Sequence, residues 1–362
     1  MNPRQGISSD LPVINIVSYS YKGGSGRSTG SVNIAFALAK MGKRVVCIDM
    51  DVGAAGLHMI MSEWLPDAKR KIGANTNQIG HQNFFNETND RPIYADLEKL
   101  APAMLDISTD VDRLHVTGDD GKTGELLFLF SGMGRAFTDL SGRMGDAKRF
   151  ENKYHFLQQF LAKKIGGSSR EGEEVYIIVD APNGISPLSL PLLKSADLIL
   201  MFYRHSLQHI RGTIEAGDKL HYYLMEEMDR RFMRILLVGS CVPERLMEKL
   251  KEAKDEKKLL DPYGSDMMQK FEKMEEDLNN FANMYPNIVD RLNDRIIEDD
   301  ILKILEQPLT SDGILNEHLG YPSEGWPKKS SFETRKKIRK ISEAIASYSP
   351  EIIRRKNKMY GY

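Results

Sequence analysis

Apolar residues in this chain fall into short continuous runs that alternate with stretches of helical spacing. Residues 13–19 (VINIVSY) form a β-branched run that ends in a glycine-rich turn, and apolar positions recur at helical spacing over residues 28–41. Residues 44–48 (RVVCI) form a second run, which ends in Asp49 and Asp51. This order predicts a strand–helix–strand unit whose two strands pair in parallel with a right-handed crossover.

Later apolar runs predict more strands of the same kind, and helical patterns lie between most of them. These runs cover residues 113–116, 126–130, 175–179, 197–203 and 234–238. Continuous apolar strands alternating with helices predict an α/β fold, with a mostly parallel twisted sheet of about seven or eight strands and helices on both faces. Ligands of such sheets bind at the carboxyl ends of the strands.

The whole chain, residues 1–362, is predicted to form a single domain with two additions. Residues 244–290 are charged, rich in methionine and helical in pattern, with a break at 262–264, and they predict a helical insertion or lid. Residues 328–362 predict a basic C-terminal helical segment. Single α/β domains often run past about 250 residues, so one extended domain is possible.

The composition is that of an ordinary folded protein: 41% of residues are hydrophobic, 28% are charged and the net charge is -1. Cys47 and Cys241 lie in apolar runs, so the chain has neither a disulfide framework nor a Cys-x-x-Cys pair for zinc or iron–sulfur. No run approaches the roughly 18 to 20 apolar residues of a membrane-spanning helix. Residues 1–11 lack the apolar core of a signal peptide, and we expect a cytoplasmic protein.

Residues 21–29, the phosphate loop, join the first predicted strand to the first predicted helix. Glycines let successive backbone N–H groups point inward, and the helix adds the positive end of its dipole, so the loop predicts phosphate binding. The predicted contacts are Gly23, Gly24, Ser25, Gly26, Arg27, Ser28 and Thr29. The strict pattern G-x-x-x-x-G-K-[ST] fails at Tyr21 and Arg27, and the remaining pattern begins at Lys22. The alternatives are a structural turn and a degenerate loop that binds weakly or without hydrolysis.

Carboxylates follow two of the predicted strands. Asp49 and Asp51 share one side of an extended segment, because side chains alternate with period two. Asp180 follows the run 175–179. A carboxylate at the end of a buried strand costs desolvation energy unless a cation or hydrogen bonds compensate its charge. A water on Mg²⁺ would supply that compensation, and the hydroxyl of Ser28 is placed to reach the same ion. The alternatives are solvated turn carboxylates at 49 and 51 and a helix cap at 180.

Together these motifs resemble the deviant Walker A ATPases of the MinD/ParA family, a group within the SIMIBI class of P-loop proteins. Such proteins carry lysine-glycine-glycine at the loop, aspartate-x-aspartate with an apolar residue and glycine at switch I, and aspartate-x-proline-x-glycine at switch II. This chain has them at residues 22–24, 49–53 and 180–184. The resemblance covers residues 13–60 and 173–240, and it departs at Arg27, where typical members have lysine.

The resemblance implies that the chain binds ATP with Mg²⁺ and hydrolyses ATP slowly. It implies catalytic roles for three residues: Lys22 contacts the nucleotide of an opposite subunit, Asp51 positions the attacking water, and Arg27 stands for the phosphate-binding lysine. Gly184 would sense the γ-phosphate, and the Mg²⁺ site would draw on Ser28, Asp49 and Asp180. Adenine is expected on family grounds alone.

The expected assembly is an ATP-dependent homodimer that positions or regulates an unidentified regulatory or cargo protein. The alternative is a nucleotide-sensing interaction module with little or no hydrolysis, since arginine at position 27 is longer than lysine and planar. Residues 328–362 carry eleven Lys or Arg against three Glu, with isoleucines at amphipathic spacing. This segment predicts non-specific DNA or anionic membrane contact, peripheral to nucleoid or membrane; the alternative is a core-packed helix with a solvated basic face.

Overall fold

One sheet of seven strands organises the part of the chain that the structure, a computed structural model, describes. That part comprises residues 12–51, 56–57, 60, 85, 104–106, 121, 124–131, 147–166, 174–204, 206–228, 233–240, 262–286, 289 and 330–360. The strands are β1 (Val13–Ser20), β2 (Arg44–Asp49), β3 (Met104–Asp106), β4 (Glu125–Leu129), β5 (Val175–Asp180), β6 (Leu198–Arg204) and β7 (Arg234–Ser240). The helices are α1 (Arg27–Lys40), α2 (Ala147–Gly166), α3 (Ser189–Ser195), α4 (Leu207–Met228), α5 (Pro262–Met284) and α6 (Ser330–Tyr360).

The strand order is β3-β4-β2-β5-β1-β6-β7, and every pairing is parallel except that of β3 with β4. The predicted α/β fold with a mostly parallel sheet is therefore confirmed. The order places β1 at an inner position with β5 on one side and β6 on the other. The phosphate loop, which follows β1, thus emerges between the carboxyl ends of β5 and β6.

Both faces of the sheet are buried, which explains why its strands are apolar without interruption. Ile14 and Ile16 of β1 point to one face, and Val17 and Tyr19 point to the other, as the two-residue period of a strand requires. Helices α1 and α6 cover the first face. Helices α2, α3, α4 and α5 contribute buried side chains to the second face.

Two details of the predicted fold differ from the structure, and a third is untested. The direct pairing expected of the first two strands is wrong, because β5 lies between β1 and β2 and pairs with both. A short antiparallel edge strand, β3, was not predicted; three residues carry too little pattern to be recognised. The predicted strand at residues 113–116 lies outside the described residues.

Both additions to the predicted domain contain helices that pack on the sheet. Helix α5 begins at Pro262, the position of the expected break, because proline is tolerated in a first helical turn. Its Phe281 and Ala282 are buried in the core of the second face. Helix α6 is continuous through Pro350. No helix within the described ranges is long and apolar enough to cross a membrane.

Candidate functional site

The phosphate loop has the backbone shape that its glycines predict. Gly24 and Gly26 adopt left-handed conformations with φ of 75° and 71°, a region that residues with a Cβ rarely enter. Gly26 is the N-cap of α1, and no side chain caps the first turn of that helix. The first backbone N–H groups of α1 therefore face the loop without a side-chain acceptor, at the positive end of the helix dipole.

Arg27 is the centre of the site. Its guanidinium reaches two of the predicted motifs: Nη2 lies 2.5 Å from Asp51 Oδ2, and Nε lies 2.5 Å from Asp180 Oδ1. Nη1 donates a hydrogen bond of 2.5 Å to Asn183 Oδ1 and lies 3.4 Å from Ser20 Oγ. One side chain from the phosphate loop thus binds the ends of β1, switch I and switch II.

This cluster is buried, and burial sets its electrostatics. Arg27 is 5% exposed, Asp51 is 6% exposed and Asp180 is fully buried. Burial disfavours the charged form of Arg27, but the nearby carboxylates of Asp180 and Asp51 outweigh that effect and raise the pKa of the guanidinium. Burial raises the pKa of Asp180, while Arg27 and a hydrogen bond with Ser28 oppose the rise. Arg27 is therefore a permanent cation held between two acids.

Asp49 is the third carboxylate of the cluster and belongs to its structural support. It is fully buried at the end of β2, beside Asp180 in the register of β2 and β5. Its oxygens accept backbone hydrogen bonds of 3.2 Å from Asp51 and from Leu57. Burial and the charge of Asp180 raise the pKa of Asp49 well above its usual range. Asp49 thereby fixes the turn that carries Asp51.

The residues present fit a magnesium ion near Ser28 and Asp180. Asp180 Oδ2 is buried and has no hydrogen-bond partner among the described residues, although Oδ1 is bound by Arg27. The carboxylates of Asp51 and Asp180 share one guanidinium, so negative charge remains for a divalent cation to offset. Within the described ranges no group of three or more His, Cys, Asp or Glu side chains is arranged to hold a metal. Mg²⁺ keeps several waters and is usually bound through one or two carboxylates, so Ser28 and Asp180 can serve it.

Switch II is fastened to the end of β1. The Gly184 amide donates a hydrogen bond of 3.0 Å to the Ser20 carbonyl, so binding a phosphate through this amide would require that bond to break. Ser20 Oγ donates to Asn183 Oδ1 at 2.9 Å. Asn183 therefore accepts from both Ser20 and Arg27 and links the phosphate loop to switch II.

Lys22 lies at the rim of the site, away from the carboxylates. It is half-buried, and a cavity of about 340 Å³ opens beside it, lined by Tyr21, Lys22, Gly184, Ile185, Ala216 and Lys219. The ring of Tyr21 packs so closely on α4 that a Cβ at Gly212 would lie 2.0 Å from it. The rest of the loop is thereby anchored while Lys22 faces the cavity.

The structure brings together most of the residues singled out in the sequence. Asp49, Asp51, Asp180 and Arg27 form one cluster, with Ser28 beside Asp180. Gly23, Gly24, Ser25 and Gly26 lie in the loop between β1 and α1, and Thr29 lies in the first turn of α1. Sequence reasoning assigned no role to Ser20 or Asn183. Their signal is positional: Ser20 ends β1 and Asn183 lies inside the quoted switch II motif.

Residues 16–317 match the family model described as the CobQ/CobB/MinD/ParA nucleotide binding domain. An uncharacterised ATP-binding protein of Methanocaldococcus jannaschii is 49% identical over 51 residues, which are 14% of this chain and 19% of that protein. The septum site-determining protein MinD of Helicobacter pylori is 50% identical over 42 residues, or 12% of this chain and 16% of that protein. The matched segments thus span less than a fifth of either relative.

Among solved structures, the ATP complex of Cyanothece McdA resembles this chain with a TM-score of 0.52. The superposition covers 93% of this chain and 96% of that chain at 11% sequence identity. A likeness at this identity concerns the fold alone. It extends the agreement beyond the short segments that sequence comparison matches.

Proposed function

The chain belongs to the CobQ/CobB/MinD/ParA family of nucleotide-binding domains, and we propose that it is an ATP- and Mg²⁺-dependent ATPase switch of the MinD/ParA type. In this proposal two chains close face to face when ATP binds, and slow hydrolysis reopens them. The cycle positions or regulates a partner protein. The Methanocaldococcus relative is an ATP-binding protein, and the Cyanothece structure is an ATP complex. Both support ATP as the nucleotide.

The convergence of the three motifs on Arg27 carries this proposal. A structural turn would not need a buried cation joined to Asp51 of switch I and to Asp180 and Asn183 of switch II. Buried ionic clusters cost desolvation energy, so they are weak evidence of stability and stronger evidence of a specific role. The cluster gives the phosphate loop a direct connection to both switches.

The phosphates would lie on the loop at the start of α1. The left-handed Gly24 and Gly26 turn the backbone there, and the uncapped first turn of α1 offers N–H donors. These donors cost no reorganisation when an anion arrives, because the helix already fixes them. The same donors would stabilise charge that develops on a transferred phosphoryl group.

Ser28 and the unpartnered Oδ2 of Asp180 are the groups that would hold Mg²⁺. The ion supplies charge neutralisation for the phosphates when it is bound. Asp180 then serves two cations, with Oδ1 on Arg27 and Oδ2 toward the metal side. Asp49 supports this arrangement through the turn after β2 rather than through a free oxygen.

Asp51 is the proposed water-positioning residue, and its pairing with Arg27 makes the site two-state. While Arg27 holds Asp51 Oδ2, that oxygen is engaged by the guanidinium. If Arg27 turns toward the phosphates, Asp51 is released to accept a hydrogen bond from water. Nucleotide would thus exchange one partner of Arg27 for another and free the switch I carboxylate in the same step.

One observation favours the alternative, a nucleotide-sensing module with little or no hydrolysis. Arg27 makes three short contacts to Asp51, Asp180 and Asn183, and a guanidinium held so firmly can remain in place when nucleotide binds. Asp51 would then never be free to position water. The chain would still bind ATP through the loop backbone and would respond through switch II.

Phosphate release, measured beside nucleotide binding, separates these two functions. For the wild type, the ATPase switch predicts ATP binding and a release rate per chain that rises with protein concentration. Asp51→Asn should bind ATP and release at least tenfold less phosphate. ATP binding without release by the wild type would establish the sensing module instead, and a folded protein that binds no nucleotide would contradict both.

A further inference from the structure

The phosphate loop separates an acidic side from a basic side of the site. β1 lies between β5 and β6, so the loop after β1 meets the ends of both neighbours. β5 ends in Asp180, within the carboxylate cluster, whereas β6 ends in Arg204. Arg27, a cation on the acidic side, is already paired with two carboxylates.

Arg204 lies directly against the loop backbone. A Cβ on Gly24 would lie 3.7 Å from Nη1 of Arg204, and Gly24 itself is exposed. Within the part of the chain that the structure describes, no carboxylate forms an ion pair with the Arg204 guanidinium, and it makes no side-chain hydrogen bond. A half-buried arginine without an acidic partner carries a charge that a bound anion can neutralise.

Lys22 and His209 also lie on this basic side. Burial, Arg204 and Lys22 together lower the pKa of His209. His209 is 8% exposed, and its Nδ1 is buried without a hydrogen-bond partner among the described residues. The positive charges of Lys22 and Arg204 are thus close enough to act on one imidazole.

We propose that Arg204 binds the phosphate chain of the nucleotide on the side of the loop opposite Asp180. The inference rests on the proposed ATP site and names a binding residue within it. Arg27 carries the charge expected of the loop's last basic residue, but two carboxylates neutralise it in this structure. Arg204 supplies an unpaired guanidinium, and its planar fork suits a phosphate group better than a point charge does.

This assignment divides the site by charge. The carboxylate side, with Ser28 and Asp180, takes the divalent ion, while the side with Arg204 takes phosphate oxygens. Such a division keeps the triphosphate away from Asp51 and Asp180, whose negative charges would repel it. It also makes Arg204 selective for a phosphorylated ligand over the free nucleoside, because a free nucleoside carries no phosphate charge for the guanidinium to bind.

Titration calorimetry of ATP into wild type, Arg204→Ala and Arg204→Lys tests the inference. We expect the ATP dissociation constant to rise at least tenfold in Arg204→Ala and to be intermediate in Arg204→Lys. The matched control is Arg354→Ala, which removes an exposed arginine on α6. This variant should bind ATP as the wild type does. Repeating the titrations over a salt series adds a second readout, since one fewer phosphate contact should make the salt dependence shallower.

A purely structural role for Arg204 predicts a different pattern. It would lower the urea midpoint without changing the salt dependence, and Arg204→Gln provides a second variant if Arg204→Ala does not fold. If the wild type binds ATP and both folded variants bind within twofold of it with the same salt dependence, Arg204 does not contact phosphate and the proposed function still stands. If the folded wild type binds no ATP, the proposed function fails as well.

Discussion

Nε of Arg27 lies 2.5 Å from Oδ1 of Asp180, and both side chains are buried. Arg27 begins α1, and Asp180 ends β5, so this ion pair joins the phosphate loop to the strand that leads into switch II. The same guanidinium holds Asp51 of switch I. A movement of this one side chain would therefore be felt in both switches.

Removing the Arg27 side chain should destabilise the fold. Arg27→Ala leaves Asp51 and Asp180 as buried carboxylates without their cation, and breaking a buried pair costs about 3–5 kcal/mol. We expect a loss of that size in the free energy of unfolding, measured by urea denaturation without nucleotide at pH 7. Arg354→Ala, which removes an arginine that is 77% exposed and paired at 3.9 Å, should cost about 0–1 kcal/mol.

The loss in Arg27→Ala should also depend on pH. Without the guanidinium, the folded-state pKa of Asp180 rises further above its unfolded value of about 3.9. The folded variant then binds more protons than the unfolded chain does, so its stability falls as pH rises through that interval. The difference from wild type should accordingly be larger at pH 7 than at pH 4.5. Equal urea midpoints for the two proteins at pH 7 would contradict the ion cluster.

Asp180 should be required for magnesium-dependent turnover. Asp180→Asn keeps the size of the side chain but removes the charge that would face Mg²⁺ through Oδ2. We expect ATP hydrolysis to fall at least a hundredfold and stimulation by added Mg²⁺ to disappear. Phosphate release at increasing Mg²⁺ concentrations measures both effects. Wild-type turnover by folded Asp180→Asn would show that Asp180 does not hold the metal. Glu174→Gln, at the opposite end of β5, is the matched control.

Lys22 should be required for ATP-dependent dimerisation. It faces a cavity at the rim of the site and takes no part in the buried ion cluster, so Lys22→Ala should fold and bind ATP as a monomer. The proposed twofold dimer places this lysine against the partner's nucleotide, and its loss should abolish association and turnover together. Light scattering with ATP, ADP and no nucleotide gives the test. Lys219→Ala, which removes another lysine that lines the cavity, is the control. An unchanged ATP-dependent dimer in Lys22→Ala would exclude the assigned role.

The C-terminal helix separates a structural face from a charged one. Ile338, Ile341, Ile345 and Ile352 are buried against the sheet, so this apolar face is not available to enter a membrane. Lys340 and Arg354 are exposed and can act only through charge. We expect binding to DNA or anionic vesicles to fall steeply with salt and at least tenfold in Lys340→Glu/Arg354→Glu. Unchanged binding in the folded double variant would support the alternative, in which α6 is a core-packed helix with a solvated basic face.

Truncation after Tyr348 should instead unfold the protein. It removes the buried Ile352 and the ion pair of Lys356 with Asp197, whose Nζ–Oδ2 distance is 2.6 Å. Loss of one buried isoleucine alone costs about 2–5 kcal/mol. A large drop in the urea midpoint is expected, so the charge-reversal variant is the valid probe of binding. A truncated chain as stable as the wild type would show that the segment after Tyr348 contributes nothing to the core.

The sheet and the positions of its functional residues followed from simple patterns. Continuous apolar runs predicted strands buried on both faces, and the carboxylates after β2 and β5 were placed by the ends of those runs. Strand order did not follow, because adjacency of β1 with β5 depends on contacts between residues some 160 positions apart, such as Val13 with Val175. Periodicity is local and carries no information about such pairs.

The orientation of Arg27 was beyond sequence reasoning for a related reason. Its place in the loop suggested phosphate contact, while the structure turns the side chain toward Asp51 and Asp180. Only the strand order brings those carboxylates within reach of α1. Arg204 was missed because it follows the predicted strand 197–203 by one residue and belongs to no motif.

In the proposed function, the phosphate loop, Asp51 and Asp180 form one ATP site around Arg27. Calorimetric titration of ATP into the wild-type protein, in buffer containing Mg²⁺, is the decisive test of this site. The predicted result is saturable binding of one ATP per chain, with the saturated protein more stable in urea than the free protein. A correctly folded protein that gives no heat of binding and no stabilisation at millimolar ATP would contradict it.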